Sequence, residues 1–131
     1  MKHLLPTQAH EYLSERPEAL FLDVRMELEY LYVGHPPGVI HISWYEYPEM
    51  QADPAAFVAQ VRREANDDLT RPLVLICRSG ARTVSAGEAL EAAGFSEVVN
   101  VVHGFEGDLD ENFQRGRKNG WRHDGLPWEQ M

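Results

Sequence analysis

The single cysteine of the 131-residue chain, Cys77, follows an unbroken apolar run, Leu73-Val74-Leu75-Ile76. It is followed at once by Arg78-Ser79-Gly80-Ala81-Arg82-Thr83. A short loop of small residues can turn successive backbone N–H groups inward and form a nest for an anion. Gly80 permits the backbone angles that such a turn needs. A helix starting just beyond adds the positive end of its dipole, and Arg78 and Arg82 add two positive charges. Each of these favours a thiolate over a thiol. Surroundings of this kind move a cysteine pKa from about 8.5 to between about 3.5 and 7.5, where the sulfur is a nucleophile at neutral pH. The competing reading is an inert core cysteine, which packs as a small hydrophobe. Such a residue needs neither arginines one and five residues later nor a glycine between them.

The elements that must position this loop are legible as apolar runs separated by helical patterns. Strands are predicted at Leu20–Leu22, Val39–Ile42, Leu73–Ile76 and Val98–Val102. The third has no polar alternation, which suits a strand buried on both faces of a parallel sheet. Helices are predicted over Thr7–Glu15, with Thr7 as cap, and over Met26–Tyr32, ending before Gly34. Another starts at Asp53-Pro54, a cap followed by proline at the first helical position, with Val58, Val61 and Ala65 on one face. In the last, Ala86, Ala89, Leu90 and Ala93 share a face and Gly94 ends the helix. Alternating strands and helices imply an α/β fold with a parallel sheet and right-handed crossovers. Ligands bind such sheets outside the carboxyl ends of strands, where Cys77 is expected.

Composition narrows the partners. Hydrophobic residues make up 44% and charged residues 25%, ordinary for one globular domain. Twenty-one acidic residues against 12 basic ones give a net charge of -9. That balance argues against nucleic acid and against an anionic membrane surface as partners. One cysteine excludes an internal disulfide. Met1-Lys2-His3-Leu4-Leu5 runs into Pro6 and does not resemble a signal peptide, and no stretch approaches the roughly 18 apolar residues of a spanning helix. The expected location is cytoplasmic. No two of the six histidines have an i, i+4 spacing, so neither a metal nor another cofactor is expected.

Cys77-Arg78-Ser79-Gly80-Ala81-Arg82 resembles the active-site loop of the rhodanese family. Leu22-Asp23-Val24-Arg25 with Glu29-Tyr30 resembles the family's first signature, and Gly34-His35-Pro36-Pro37-Gly38-Val39-Ile40-His41-Ile42 its second. Val101-Val102-His103-Gly104-Phe105-Glu106-Gly107 and Gly125-Leu126-Pro127 resemble its closing segment. The resemblance runs through nearly the whole chain in order. It implies a rhodanese-like α/β domain over 1–131, with about five strands, helices on both faces, and 116–131 as a tail packed on it.

The resemblance also implies a thiosulfate:acceptor sulfurtransferase. Cys77 would be the nucleophile and carry sulfane sulfur as a persulfide. Backbone amides of Arg78, Ser79, Gly80, Ala81, Arg82 and Thr83 would form the cradle, and Arg78 and Arg82 would attract a small anionic sulfur donor. The acceptor would be cyanide or an external thiol, because the chain has no second thiol to resolve the persulfide. Asp23 and Arg25 would support the loop, with Asp23 pairing a loop arginine. His35 would be a turn residue making structural hydrogen bonds. Two other readings stand beside this one: a persulfide carrier for a partner protein, and a phosphatase or arsenate-reductase relative. The latter need a loop one residue longer to wrap a tetrahedral oxyanion. Four residues separate Cys77 from Arg82 here, which suits a single added sulfur.

Elsewhere, bland readings prevail. Arg115, Arg117 and Lys118 read as a solvated helix end, and the acidic run Glu106, Asp108, Asp110 and Glu111 as surface or a helix start. Trp44, Tyr45 and Tyr47 either line the pocket mouth or pack beneath a loop. Trp121 and Trp128 suggest that the tail is packed rather than free.

Overall fold

The computed structural model describes all residues, 1–131. In chain order its elements are β1 (Lys2–Leu4), α1 (Pro6–Glu15), β2 (Leu20–Asp23), a one-turn π-helix (Glu29–Val33), β3 (Ile40–His41), α2 (Pro54–Glu64), β4 (Leu73–Ile76), α3 (Ala81–Ala92) and β5 (Val98–Val101). The strands form one parallel sheet in the order β1-β5-β4-β2-β3. The expected α/β class and five-strand parallel sheet are what the chain adopts. Its most buried strands, β2, β4 and β5, carry no exposed residue, as apolar runs covered on both faces require.

Alternate side chains of β4 divide the core in two. Leu73, Leu75 and Cys77 face a cluster completed by Phe57 and Val61 of α2 and Ala86 and Leu90 of α3. Val74 and Ile76 face the other cluster, with Ala9 and Tyr12 of α1, Phe105 and Trp121. The tail therefore contributes a core residue, and Glu129 exchanges two backbone hydrogen bonds with His35. No helix is long and apolar enough to cross a membrane.

The local readings differ from the structure at four places. The fifth strand is β1, at the N-terminus; three residues without apolar alternation give no strand signal, and pairing with β5 creates it. Helix α1 starts at Pro6 rather than at a Thr7 cap; the Gln8 side chain accepts the Leu5 N–H at 2.9 Å and fulfils the capping role. The stretch Met26–Tyr32 is helical but closes as a π-turn running to Val33. No helix forms around Asp108–Lys118; Asp110 instead accepts the N–H groups of Asn112 and Gln114 and closes a turn. At α2 the reading and the structure agree, with Asp53 accepting the Ala56 N–H at 3.2 Å and Pro54 first in the helix.

Candidate active site

Cys77 stands immediately beyond the last residue of β4, at the carboxyl edge of the sheet. There β4 leads through α3 to β5 on one side, while its neighbour β2 leads to β3 on the other. The order of the strands reverses between them, which opens the crevice where ligands bind in folds of this kind. The chain turns through Arg78–Gly80 and enters α3 at Ala81, so the N-terminus of a 12-residue helix is aimed back at the loop.

The Cys77 side chain is buried. The Gly80 N–H donates to Sγ at 3.1 Å, and Thr83 Oγ1 lies 3.5 Å from it. Gly80 makes this possible by adopting φ +104°, a left-handed conformation that costs an L side chain strain. The outer side of the loop is laced to the segment after β5. Phe105 N–H donates to Cys77 O at 2.8 Å, and Glu106 N–H to Arg78 O at 2.9 Å. Gly104 allows that approach: with φ +62°, a Cβ there would lie 2.5 Å from Cys77 O.

Two arginine–carboxylate pairs brace this arrangement. Asp23 and Arg25 are fully buried, and Arg25 Nη2 donates to Asp23 Oδ2 and to Gly34 O, each at 2.6 Å. Its guanidinium lies 4.6 Å from the centre of the Phe105 ring. Asp23 does not pair a loop arginine, contrary to what the resemblance implies: it holds Arg25, two residues away, where the short separation lets one carboxylate take both the Nε and Nη2 donors. The loop arginine, Arg82, is held by Glu29 through two hydrogen bonds of 2.6 and 2.9 Å. Burial would raise the Glu29 pKa, but the hydrogen bonds and charge of Arg82 outweigh it and hold the carboxyl below its ordinary value. For Arg82, burial pulls downward, and Glu29, with smaller contributions from Tyr45 and Cys77, carries the guanidinium above its ordinary value.

A recess of about 290 Å³ opens over the loop, lined by Met26, Glu29, Tyr45, Arg78, Arg82, Glu106 and Arg115 among others. Arg78 is exposed there. Arg115, read from sequence as part of a solvated helix end, is brought to the same recess and donates to Gly107 O at 2.7 Å. Nothing in the local sequence separates Arg115 from its basic neighbours Arg117 and Lys118, so its placement at the recess gives no sequence signal. Of the aromatics after β3, Tyr45 lines the recess beneath Arg82, 5.4 Å from the guanidinium, whereas Trp44 packs edge-on against Phe57 of α2. His35 is buried away from the thiol's hydrogen-bond partners: Nδ1 lies 3.0 Å from Tyr30 O and its ring stacks on Tyr30 at 4.0 Å.

Comparison with known proteins places this geometry. A family model described as the rhodanese-like domain matches residues 5–111. The crystal structure of Rv0390 from M. tuberculosis superposes with a TM-score of 0.86 at 37% identity, covering 100% of this chain and 98% of that one. The thiosulfate sulfurtransferase GlpE of Pseudomonas savastanoi pv. phaseolicola is 32% identical over 105 residues, 80% of this chain and 84% of that protein. The putative sulfur carrier protein YrkF of Bacillus subtilis is 35% identical over 84 residues, 63% of this chain but 37% of that larger protein. The family model extends from the residue before α1 to the segment beyond the Cys77 loop, and the chain belongs to the rhodanese-like domain family.

Proposed function

We propose that this chain, acting as a single domain over 1–131 with its 116–131 tail part of the fold, is a sulfurtransferase that carries sulfane sulfur on Cys77. The observation that carries this reading is the thiol itself. It lies at the carboxyl edge of the sheet with the Gly80 N–H on the sulfur and the N-terminus of α3 behind it. In the first half-reaction the Cys77 thiolate attacks the outer sulfur of thiosulfate. The bond between the two thiosulfate sulfurs breaks, sulfite leaves with the electron pair, and Cys77 holds a persulfide. In the second, cyanide or an external thiolate attacks the outer persulfide sulfur, and the Cys77 thiolate is returned. Covalent catalysis of this form gives ping-pong kinetics.

The amides of Arg78 through Thr83 form the cradle for the sulfur anion in each half-reaction, and fixed donors of this kind need no reorganisation as charge moves. Arg78 and Arg115, which line the same recess, are the cations available to the anionic donor. Arg82 has most of its charge answered by Glu29 and serves chiefly to set the loop. Incubation with thiosulfate followed by mass measurement tests the proposal. Gain of one sulfur atom, absent in Cys77→Ser, is expected. No gain, together with hydrolysis of an aryl phosphate, would replace it with phosphatase chemistry.

Similarity to a sulfur carrier favours a second reading, in which the persulfide is delivered to a protein partner. Faster sulfur loading from a protein-bound persulfide than from thiosulfate would select it.

A further inference from the structure

Behind Cys77 a line of polar side chains crosses the sheet to its edge. Thr83 Oγ1, 3.5 Å from the Cys77 sulfur, is 2.6 Å from Asn100 Oδ1, and Asn100 Nδ2 is 3.1 Å from His3 Nδ1. Thr83 and Asn100 are buried, while His3 is exposed on β1, directly opposite Asn100 in register. Asn100 is the one polar residue of β5, set among Val98, Val99 and Val101. An amide in such a place is costly unless hydrogen-bonded, and Thr83 and His3 supply its bonds.

Counting hydrogens shows that this line has two directions. Thr83 has one hydroxyl hydrogen and three acceptors within reach: Gly80 O at 3.0 Å, Asn100 Oδ1 and the sulfur. With Asn100 Oδ1 toward Thr83, the hydroxyl donates to Asn100, which donates to His3 Nδ1. Thr83 then has only its oxygen lone pairs to offer the sulfur, an arrangement that suits the protonated thiol. With the Asn100 amide turned over, His3 Nδ1–H donates to Oδ1 and Nδ2–H donates to Thr83. The hydroxyl hydrogen is then free for the sulfur, which suits an anion.

We propose that His3 and Asn100 are positioning residues that form, with Thr83, a reversible hydrogen-bond relay, which turns the Thr83 hydroxyl onto the Cys77 sulfur when that sulfur is anionic. The proposal rests on the reading of Cys77 as the reacting group. In the reversal the thiol proton leaves to solvent. Thr83 and Asn100 keep all their hydrogens and only rotate, and the imidazole exchanges Nε2–H for Nδ1–H through solvent. An imidazolium, with both nitrogens protonated, favours the anion-directed arrangement. The charges around β1 are already answered: the Met1 ammonium by Glu91 of α3 and Lys2 by Glu97, each at 2.8 Å, with Lys2 also over the Tyr12 ring of α1. The amide of Asn100 is therefore the group that His3 engages toward the core.

Nitrogen-15 NMR of the imidazoles in the full chain tests this, alongside the pH dependence of Cys77 alkylation by uncharged iodoacetamide. Alkylation follows ionisation of the thiol with no sulfur donor present, so it reads out separately from sulfur uptake. In the wild type at about pH 8, above the ordinary imidazole range, His3 is expected to hold the Nδ1–H tautomer while Cys77 is a thiolate and to revert to Nε2–H once Cys77 is alkylated. That switch should vanish in Cys77→Ser and in Thr83→Val. Thr83→Val should also move the alkylation midpoint up by about one pH unit, a tenfold loss at a given pH, the weight of one hydrogen bond to a charged group. A His3 signal indifferent to Cys77 would overturn the relay. A switch that survives in Thr83→Val would overturn it too, because the coupling would then be charge acting through space.

Discussion

Two arginine–carboxylate pairs flank the site, alike in chemistry and unlike in setting. Asp23 and Arg25 are fully buried, two residues apart, and Arg25 also donates to Gly34 O. Glu29 and Arg82 are 53 residues apart and remain 14% and 12% exposed over the recess. Opening the first leaves a bare charge in the core, where no water can answer it. Opening the second lets solvent answer both groups. The buried pair therefore works as scaffold, holding Phe105 and through it the carbonyl of Cys77, while the pair at the recess works as a latch on the first turn of α3.

The largest expected effect comes from breaking the scaffold. Arg25→Met leaves Asp23 buried and unpaired and should cost about 3–5 kcal/mol in urea unfolding. A loss no larger than that of Glu29→Gln would put the two pairs in one class. Gly104→Ala leaves both pairs intact but drives a Cβ into Cys77 O. Displacing the loop by a fraction of an ångström should slow sulfur uptake by up to about 100-fold. Unchanged uptake would show that the wall behind the loop does not set it.

Glu29→Gln removes one charge of a mostly buried, doubly hydrogen-bonded pair and should cost about 1–3 kcal/mol at neutral pH, less than Arg25→Met because the recess lets water reach Arg82. The pH dependence has a defined sign. Glu29 is held below its unfolded value, so its contribution is complete above about pH 4.5 and is lost as pH falls through the depressed value. The stability gap between wild type and Glu29→Gln should therefore close on acidification, and a gap that widened would contradict the latch. The smallest effect belongs to Arg115→Gln. The KM for thiosulfate should rise roughly two- to fivefold with kcat unchanged, and the difference should shrink at high salt.

The parts of this molecule most legible in sequence are those fixed by local chemistry. Leu73–Ile76 is a strand because nothing polar interrupts it, and the Asp53-Pro54 start of α2 follows from a cap and a fixed proline φ. The loop from Cys77 to Thr83 stood out because thiol, glycine and arginines coincide within seven residues. What was not legible depends on distant partners. Strand β1 exists through pairing with β5, Arg115 reaches the recess through a chain of turns, and Glu29 finds Arg82 across 53 residues. Asn100 sits within the run read only as a strand, Val98–Val102, and its partners Thr83 and His3 lie 17 and 97 residues away.

Weighing the protein after incubation with thiosulfate and gel filtration shows whether Cys77 carries sulfur. A gain of one sulfur atom is expected in the wild type, lost on adding cyanide with release of thiocyanate, and no gain in Cys77→Ser. A wild type whose mass is unchanged by thiosulfate or by a protein-bound persulfide, or a Cys77→Ser variant that still takes up sulfur, would contradict sulfur transfer through Cys77.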